Sequence, residues 1–108
     1  GPYDDRSVDY PDYAKKLGNR IKLKKSDVGI LVCGSGTGMA ISANKIKTIR
    51  AAVCYNLKST RLSRQHNNAN IIALGSRLTK KKLSLKLVEV FLGTKFEGGR
   101  HLKRIKKI

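Results

Sequence analysis

Val28-Gly29-Ile30-Leu31-Val32-Cys33-Gly34-Ser35-Gly36-Thr37-Gly38-Met39-Ala40-Ile41-Ser42-Ala43-Asn44 is an apolar run of strand length that ends in a cysteine. It passes through three alternating glycines and opens into residues able to start a helix. Strand, glycine loop and helix in this order is how a parallel α/β sheet builds an anion site, because loop and first-turn N–H groups lack internal partners and converge on one point. Cys33 stands at the rim of that site.

The rest of the chain repeats the alternation. Pro11, with Asp9 near the cap position, starts a helix in which Tyr13, Leu17 and Ile21 recur at i, i+4 and i+8, running to about Lys25. Its other face carries Lys15, Lys16, Arg20, Lys22 and Lys24, and the first ten residues read as a polar, turn-rich loop. Beyond the glycine loop a helix begins near Gly38. Residues 49–55 form a second buried strand, followed by a short helix over 58–63 and a polar turn over 64–70. Ile71-Ile72-Ala73-Leu74-Gly75 is continuously apolar, as expected of a parallel strand covered on both faces. From Thr79, Leu83, Leu87, Val90 and Phe91 make one apolar stripe, with Gly93 as the C-cap. A last helix over 98–108 places Arg100, Arg104 and Lys107 on one side and Leu102 and Ile105 on another. The expectation is a Rossmann-like three-layer α/β/α sandwich with a parallel sheet of three strands, joined by right-handed βαβ units into one domain over 1–108.

Composition narrows the chemistry. The 108 residues carry 24 Lys and Arg against 7 Asp and Glu, a formal charge of +17 that attracts polyanions, acidic membranes or phosphorylated substrates. The two cysteines, Cys33 and Cys54, fall on segments expected to be neighbouring strands and read as free thiols in a reducing compartment; there is no CxxC pair and no Cys/His cluster of zinc spacing. No apolar run approaches the roughly 20 residues of a membrane span, and the expected location is the cytoplasm.

Each chemical candidate has a plain structural counterpart. A free cysteine is usually a small buried hydrophobe, and Cys54 fits that role. Cys33, at a strand terminus before glycine amides, sits where α/β proteins place ligands and where a thiolate is stabilised. Gly34, Gly36 and Gly38 match neither the dinucleotide fingerprint nor the P-loop. His66, between Gln65 and Asn67, is a surface histidine by default and the best proton carrier in the chain by chemistry. Arg100 and Arg104, four residues apart with His101 between them, can grip a phosphate bidentately, although such pairs also arise by chance in so basic a chain.

Taken together, the stretches Asp9-Tyr10-Pro11-Asp12-Tyr13, Cys33-Gly34-Ser35-Gly36-Thr37-Gly38, Ala43-Asn44-Lys45, Ile49-Arg50-Ala51, Leu62-Ser63-Arg64-Gln65-His66-Asn67, Leu74-Gly75-Ser76-Arg77 and Phe96-Glu97-Gly98-Gly99-Arg100-His101 occur in this order. The chain so resembles, over its whole length, the sugar-phosphate isomerases of the ribose-5-phosphate isomerase B type, a family that includes the galactose-6-phosphate isomerase subunits. The resemblance implies interconversion of ribose 5-phosphate and ribulose 5-phosphate, a pentose phosphate pathway step, through a cis-enediolate and without metal or cofactor. It implies Cys33 as the base at carbon; in another branch a glutamate does that work, at the position filled here by Met39. It further implies the amides from Gly34 through Gly36 and Thr37 to Gly38 as the enediolate's anion hole, and Ser35 as a relay between the two oxygens. His66 then corresponds to the ring-opening acid and base, Asn67 to its neighbour at the sugar and Tyr10 to a pocket wall. Arg100, His101 and Arg104 correspond to the phosphate grip. Active sites in this family are shared between two subunits, which implies a homodimer or homotetramer.

One departure stands out. Relatives of this type begin with a strand bearing a Cys-Asp-His-type motif, a helix and a second strand, ahead of the loop that here starts at Gly1. The Asp that assists ring opening and a His that contacts phosphate therefore have no counterpart. In a sheet of the expected order 2-1-3-4-5, the strand at Val28–Cys33 is left with an unpaired apolar edge. The chain is accordingly expected to be a fragment or a reduced protein. Two other functions compete with the isomerase: a degenerate member acting as a subunit or binding protein, and a basic nucleic-acid binder. The last is disfavoured because the basic residues are spread over several helices with no stacking platform or reading motif.

Overall fold

A computed structural model describes residues 10–23 and 28–108. The elements are α1 (Tyr10–Leu23), β1 (Gly29–Cys33), α2 (Thr37–Asn44), β2 (Ala51–Val53), α3 (Leu57–Gln65), β3 (Ile71–Gly75), α4 (Lys81–Gly93) and α5 (Arg100–Ile105). The three strands form one parallel sheet. The expected first loop, the cap at Asp9 and the end of the first helix near Lys25 lie outside the described residues.

The sheet order is β1-β3-β2, which corrects the expected sequential order. Cys33 and Cys54 are therefore not on neighbouring strands, because β3 runs between them. The central place falls to the strand whose five residues are all buried. Along β3 the side chains alternate between faces. Ile71 and Ala73 join Ala14, Ile21, Leu31, Met39, Ala40, Ala43 and Ile49 under α1 and α2. Ile72 and Leu74 join Cys54, Ala69, Leu87 and Phe91 under α3 and α4. Two apolar clusters on opposite faces of one sheet make the three layers that the strand and helix alternation predicts.

Several boundaries differ from expectation for visible reasons. β2 holds three residues rather than seven, and Thr48 turns the chain at φ 77° ahead of it. Its outer edge is capped by a side chain: Asn44 accepts from the Ala51 N–H at 2.7 Å and donates to the Ala51 carbonyl at 2.9 Å, as a neighbouring strand would. Helix α3 extends to Gln65 and is capped by Asn56, whose side chain accepts from the Ser59 N–H. Helix α4 starts at Lys81 rather than Thr79 and is closed by Thr94 rather than Gly93, the Thr94 hydroxyl donating to the Val90 carbonyl. The last helix is confined to Arg100–Ile105.

β1 is covered on one face only. Leu31 is buried, whereas Ile30 and Val32 are 44% and 54% exposed and line a groove of about 410 Å³ with Leu74, Leu85 and Val88. Among the described residues its outer edge has no partner strand, as the sequence reading expects. No helix among them is long and apolar enough to cross a membrane.

Candidate active site

In parallel α/β sheets ligands gather at the carboxyl ends of the strands, and here Cys33 and Gly75 end β1 and β3 side by side. The loops that follow are zipped together: the Ser76 N–H donates to the Cys33 carbonyl at 2.8 Å and the Arg77 N–H to the Gly34 carbonyl at 3.0 Å. The approach demands glycine at two points. A Cβ on Gly75 would stand 2.6 Å from the Ser35 carbonyl oxygen. Gly36 has φ 81° with Leu74 backbone 3.0 Å from where its Cβ would be. These contacts fold the glycine loop back over the strand end and set the start of α2.

The same fold delivers an amide to the thiol. The Gly36 N–H donates to Cys33 Sγ at 3.1 Å, and the Thr37 N–H donates to Ser35 Oγ at 3.3 Å. Two of the loop's donors are therefore turned on its own side chains, the Cys33 sulfur and the Ser35 hydroxyl. Cys33 is half-buried, Ser35 and Thr37 are exposed, and a cavity of about 390 Å³ opens over Cys33, Gly34, Ser35 and Gly38. Its far wall is Arg77 and Leu78, the Arg77 side chain lying against Gly34. Sequence reasoning assigned Arg77 no role. Its signal was available, since it lies in the turn after a parallel strand, at the sheet end that carries Cys33. Cys54, by contrast, is fully buried, and burial pushes its thiol up, with the neighbouring Thr60 and Ser63 side chains opposing.

The second group of candidates assembles elsewhere. Arg64, near the end of α3, donates through Nε to the Thr94 carbonyl at 3.0 Å and through a terminal nitrogen to Asn68 Oδ1 and the Ala69 carbonyl, with its guanidinium over the Phe91 ring. That one side chain pins the segment after α4 to the turn after α3. The Glu97 N–H then donates to the Gln65 carbonyl at 3.0 Å. As a result His66 Nε2 lies 3.4 Å from Glu97 Oε1 and His101 Nε2 lies 3.9 Å from the same oxygen. The two imidazoles stack at 4.2 Å between centroids and 13° between planes. Lost hydration, then the charges of His66 and Arg100, hold His101 below the ordinary imidazole value, with Glu97 opposing. Arg100 and Arg104 stand exposed on α5, and Asn67 is exposed beside His66. Glu97 stands four residues before His101, a spacing that local pattern could have flagged, whereas its contact with His66 across 31 positions leaves no mark in local spacing.

The two groups do not meet within one chain. β1 and β3 run parallel from Gly29 and Ile71 to Cys33 and Gly75. His66 precedes β3, in a turn held by the Ala69 N–H on the Ser63 carbonyl and by Asn70, whose carbonyl accepts from Gly29 at the strands' amino end. Five strand residues at about 3.3 Å each therefore lie between the His66 cluster and Cys33, roughly 15 Å. Tyr10 is the first residue of α1, and its side chain is outside the described residues.

The chain's candidate residues thus form two groups, a thiol in a glycine loop and a basic cluster at the other end of the sheet, and comparison with known proteins identifies the family to which the chain belongs. The Ribose/Galactose Isomerase family matches residues 1–108. Ribose-5-phosphate isomerase B of Escherichia coli is 43% identical over 108 residues, all of this chain and 72% of that protein. The crystal structure of a ribose 5-phosphate isomerase from Thermotoga maritima superposes with a TM-score of 0.96 at 51% identity, over 99% of this chain and 74% of that one. Ribose-5-phosphate isomerase B from Mycoplasma genitalium, solved with bound ribulose-5-phosphate, gives a TM-score of 0.95 at 44% identity, over 99% of this chain and 72% of that one. With the fold, the ordered motifs and the family match over residues 1–108 in agreement, the chain belongs to the ribose/galactose isomerase family.

Proposed function

We propose that this protein is an aldose–ketose isomerase of sugar phosphates, acting on ribose 5-phosphate and ribulose 5-phosphate. The observation that carries this reading is the half-buried Cys33 thiol at a strand terminus, facing a cavity and held by the Gly36 amide, in a chain that matches the family from end to end. In the forward direction His66 takes the C1 hydroxyl proton of the cyclic sugar and returns a proton to the ring oxygen, which opens the ring. Cys33, as thiolate, removes the C2 proton while the C1 oxygen is protonated, giving a cis-enediol; loss of the C2 hydroxyl proton and return of the carbon-bound proton to C1 yield the ketose. No oxidant is consumed. The loop donors between Gly34 and Gly38 turn from Cys33 and Ser35 toward the enediolate oxygens, and charge developing there is where aimed amides lower a barrier most. Ser35 relays a proton between those oxygens. Arg100, His101 and Arg104 take the phosphate, with Asn67 and Tyr10 against the sugar.

The distance between Cys33 and His66 supports a site shared by two chains. A pentose phosphate cannot touch both groups across the length of β3, whereas a two-fold dimer can bring the carboxyl end of one sheet to the His66 cluster of its partner. The direct test is conversion of ribose 5-phosphate to ribulose 5-phosphate by the purified protein, followed by absorbance of the ketose, with its mass in solution. Turnover by a dimer or tetramer is expected; a folded protein that binds sugar phosphate without turnover would support the binding-subunit alternative instead.

A further inference from the structure

His66, Glu97 and His101 form a cluster of which the proposed chemistry uses only the proton-transfer capacity of His66 and the phosphate contact of His101. Each residue offers one ligand atom, and the three atoms lie within 4.8 Å of one another. Two imidazole nitrogens and one carboxylate oxygen are the donor set preferred by zinc and its first-row neighbours, with bonds of about 2.0–2.2 Å and a fourth position left to solvent. Around a tetrahedral ion such donors stand roughly 3.3–3.5 Å apart. Glu97 Oε1 already lies 3.4 Å from His66 Nε2 and 3.9 Å from His101 Nε2.

We propose that His66, Glu97 and His101 bind a zinc-class divalent cation, and that occupancy inhibits the enzyme by withholding the His66 imidazole from the sugar. The inhibitory half rests on the role given to His66 under Proposed function; the binding half does not. For the ion to enter, ligand atoms that lie within 4.8 Å of one another must close to the tetrahedral spacing, which the stacked rings supply by tilting toward each other. Glu97 is held at its backbone by Gln65, and it is followed by Gly98 and Gly99 at φ 71° and 58°, a segment without side-chain obstruction. Side-chain exposures of 38% at His66 and 51% at Glu97 leave an open approach. The chain's charge sharpens the selectivity. At +17 overall, an ion held by charge alone gains little here, so magnesium and calcium are disfavoured while an ion bonded through imidazole nitrogen is not.

The chain has only two histidines, which makes the test compact. Zinc chloride is titrated into the intact protein while the imidazole C–H resonances are followed by carbon-edited NMR. Both histidines are expected to shift together and saturate at one equivalent, with magnesium chloride moving neither. Glu97→Gln should weaken binding by at least about tenfold, the lower bound for a group that merely supports a ligand, and His101→Ala should leave the His66 resonances insensitive to zinc. Zinc that moves only one histidine, or that binds Glu97→Gln as tightly as the parent, overturns the site. Zinc should also inhibit ribose 5-phosphate turnover over the same concentrations; binding without inhibition would contradict the inhibitory half. Absence of turnover before zinc is added would instead tell against the isomerase reading.

Discussion

Cys33 closes the carboxyl end of β1 while His66 lies beyond the amino end of β3, so the thiol and the imidazole of one chain are held at opposite ends of the sheet. Neither loop can slide to the other, because each is tied to its own strand end. Ser76 and Arg77 bond back to Cys33 and Gly34, and Ala69 and Asn70 bond to Ser63 and Arg50. The arrangement turns an assignment of residue roles into a statement about assembly.

Replacing the thiol tests its role as base. Cys33→Ala should reduce kcat for ribose 5-phosphate by about 10²- to 10⁴-fold, the usual contribution of a positioned base, with a much smaller effect on substrate binding. Steady-state kinetics decide, and a variant within tenfold of the parent would remove Cys33 from the chemistry.

The close approach at Gly75 makes a second prediction. In Gly75→Ala the new Cβ meets the Ser35 carbonyl at 2.6 Å, a clash with backbone that cannot swing aside as a side chain could. The glycine loop must shift, at a cost of about 1–3 kcal/mol as for other overpacked sites, and turnover should fall with it. Gly93→Ala, at a helical position where nothing lies within 4 Å, should leave turnover unchanged and raise stability by about 0.5–1 kcal/mol. Urea unfolding and kinetics of the two variants side by side check the contrast.

The fold of the chain was legible where local pattern decided it. Ile71–Gly75 is the clearest case: an uninterrupted apolar run bounded by polar residues becomes the strand buried on both faces. Strand order was not legible, since parallel pairing joins residues some 20 to 40 positions apart and no spacing records that β3 enters between β1 and β2. The cover on the outer edge of β2 is likewise a tertiary device, the Asn44 side chain on Ala51, that no strand propensity contains. Of the candidate site, the cysteine and its glycines stand out in sequence because they are contiguous. Arg77 and Glu97 lay inside quoted motifs yet gained meaning only when the loops around them were folded together.

Arg64 should matter for stability although it touches no proposed substrate. Arg64→Ala removes donors to Thr94, Asn68 and Ala69 and the guanidinium over Phe91. Hydrogen bonds from a charged donor place the loss at about 2–3 kcal/mol, against about 0.5 kcal/mol or less for exposed Lys82→Ala. Denaturant midpoints measure both; equal midpoints would contradict the pinning role.

The His101 environment predicts a pH dependence. Its folded value lies below the ordinary 6.5, through lost hydration first and then His66 and Arg100, with Glu97 opposing. A depressed imidazole favours the neutral form in the folded state, so its contribution is fully present above the unfolded value and is lost as pH falls through the folded one. Between pH 7.5 and 5.5 the protein should therefore lose more thermal stability than its His101→Gln variant. A variant with the larger loss would reverse the sign.

Subunit complementation tests the central claim most directly. Cys33→Ala and His66→Asn proteins, each inactive alone, are mixed under conditions where subunit exchange is verified by mass. If one site takes its thiol from one chain and its imidazole from the other, half the dimers are mixed and one site in each is intact, so the mixture should regain about a quarter of parental turnover by two-fold symmetry. A fully exchanged mixture that stays inactive would contradict the shared site and the isomerase mechanism built on it.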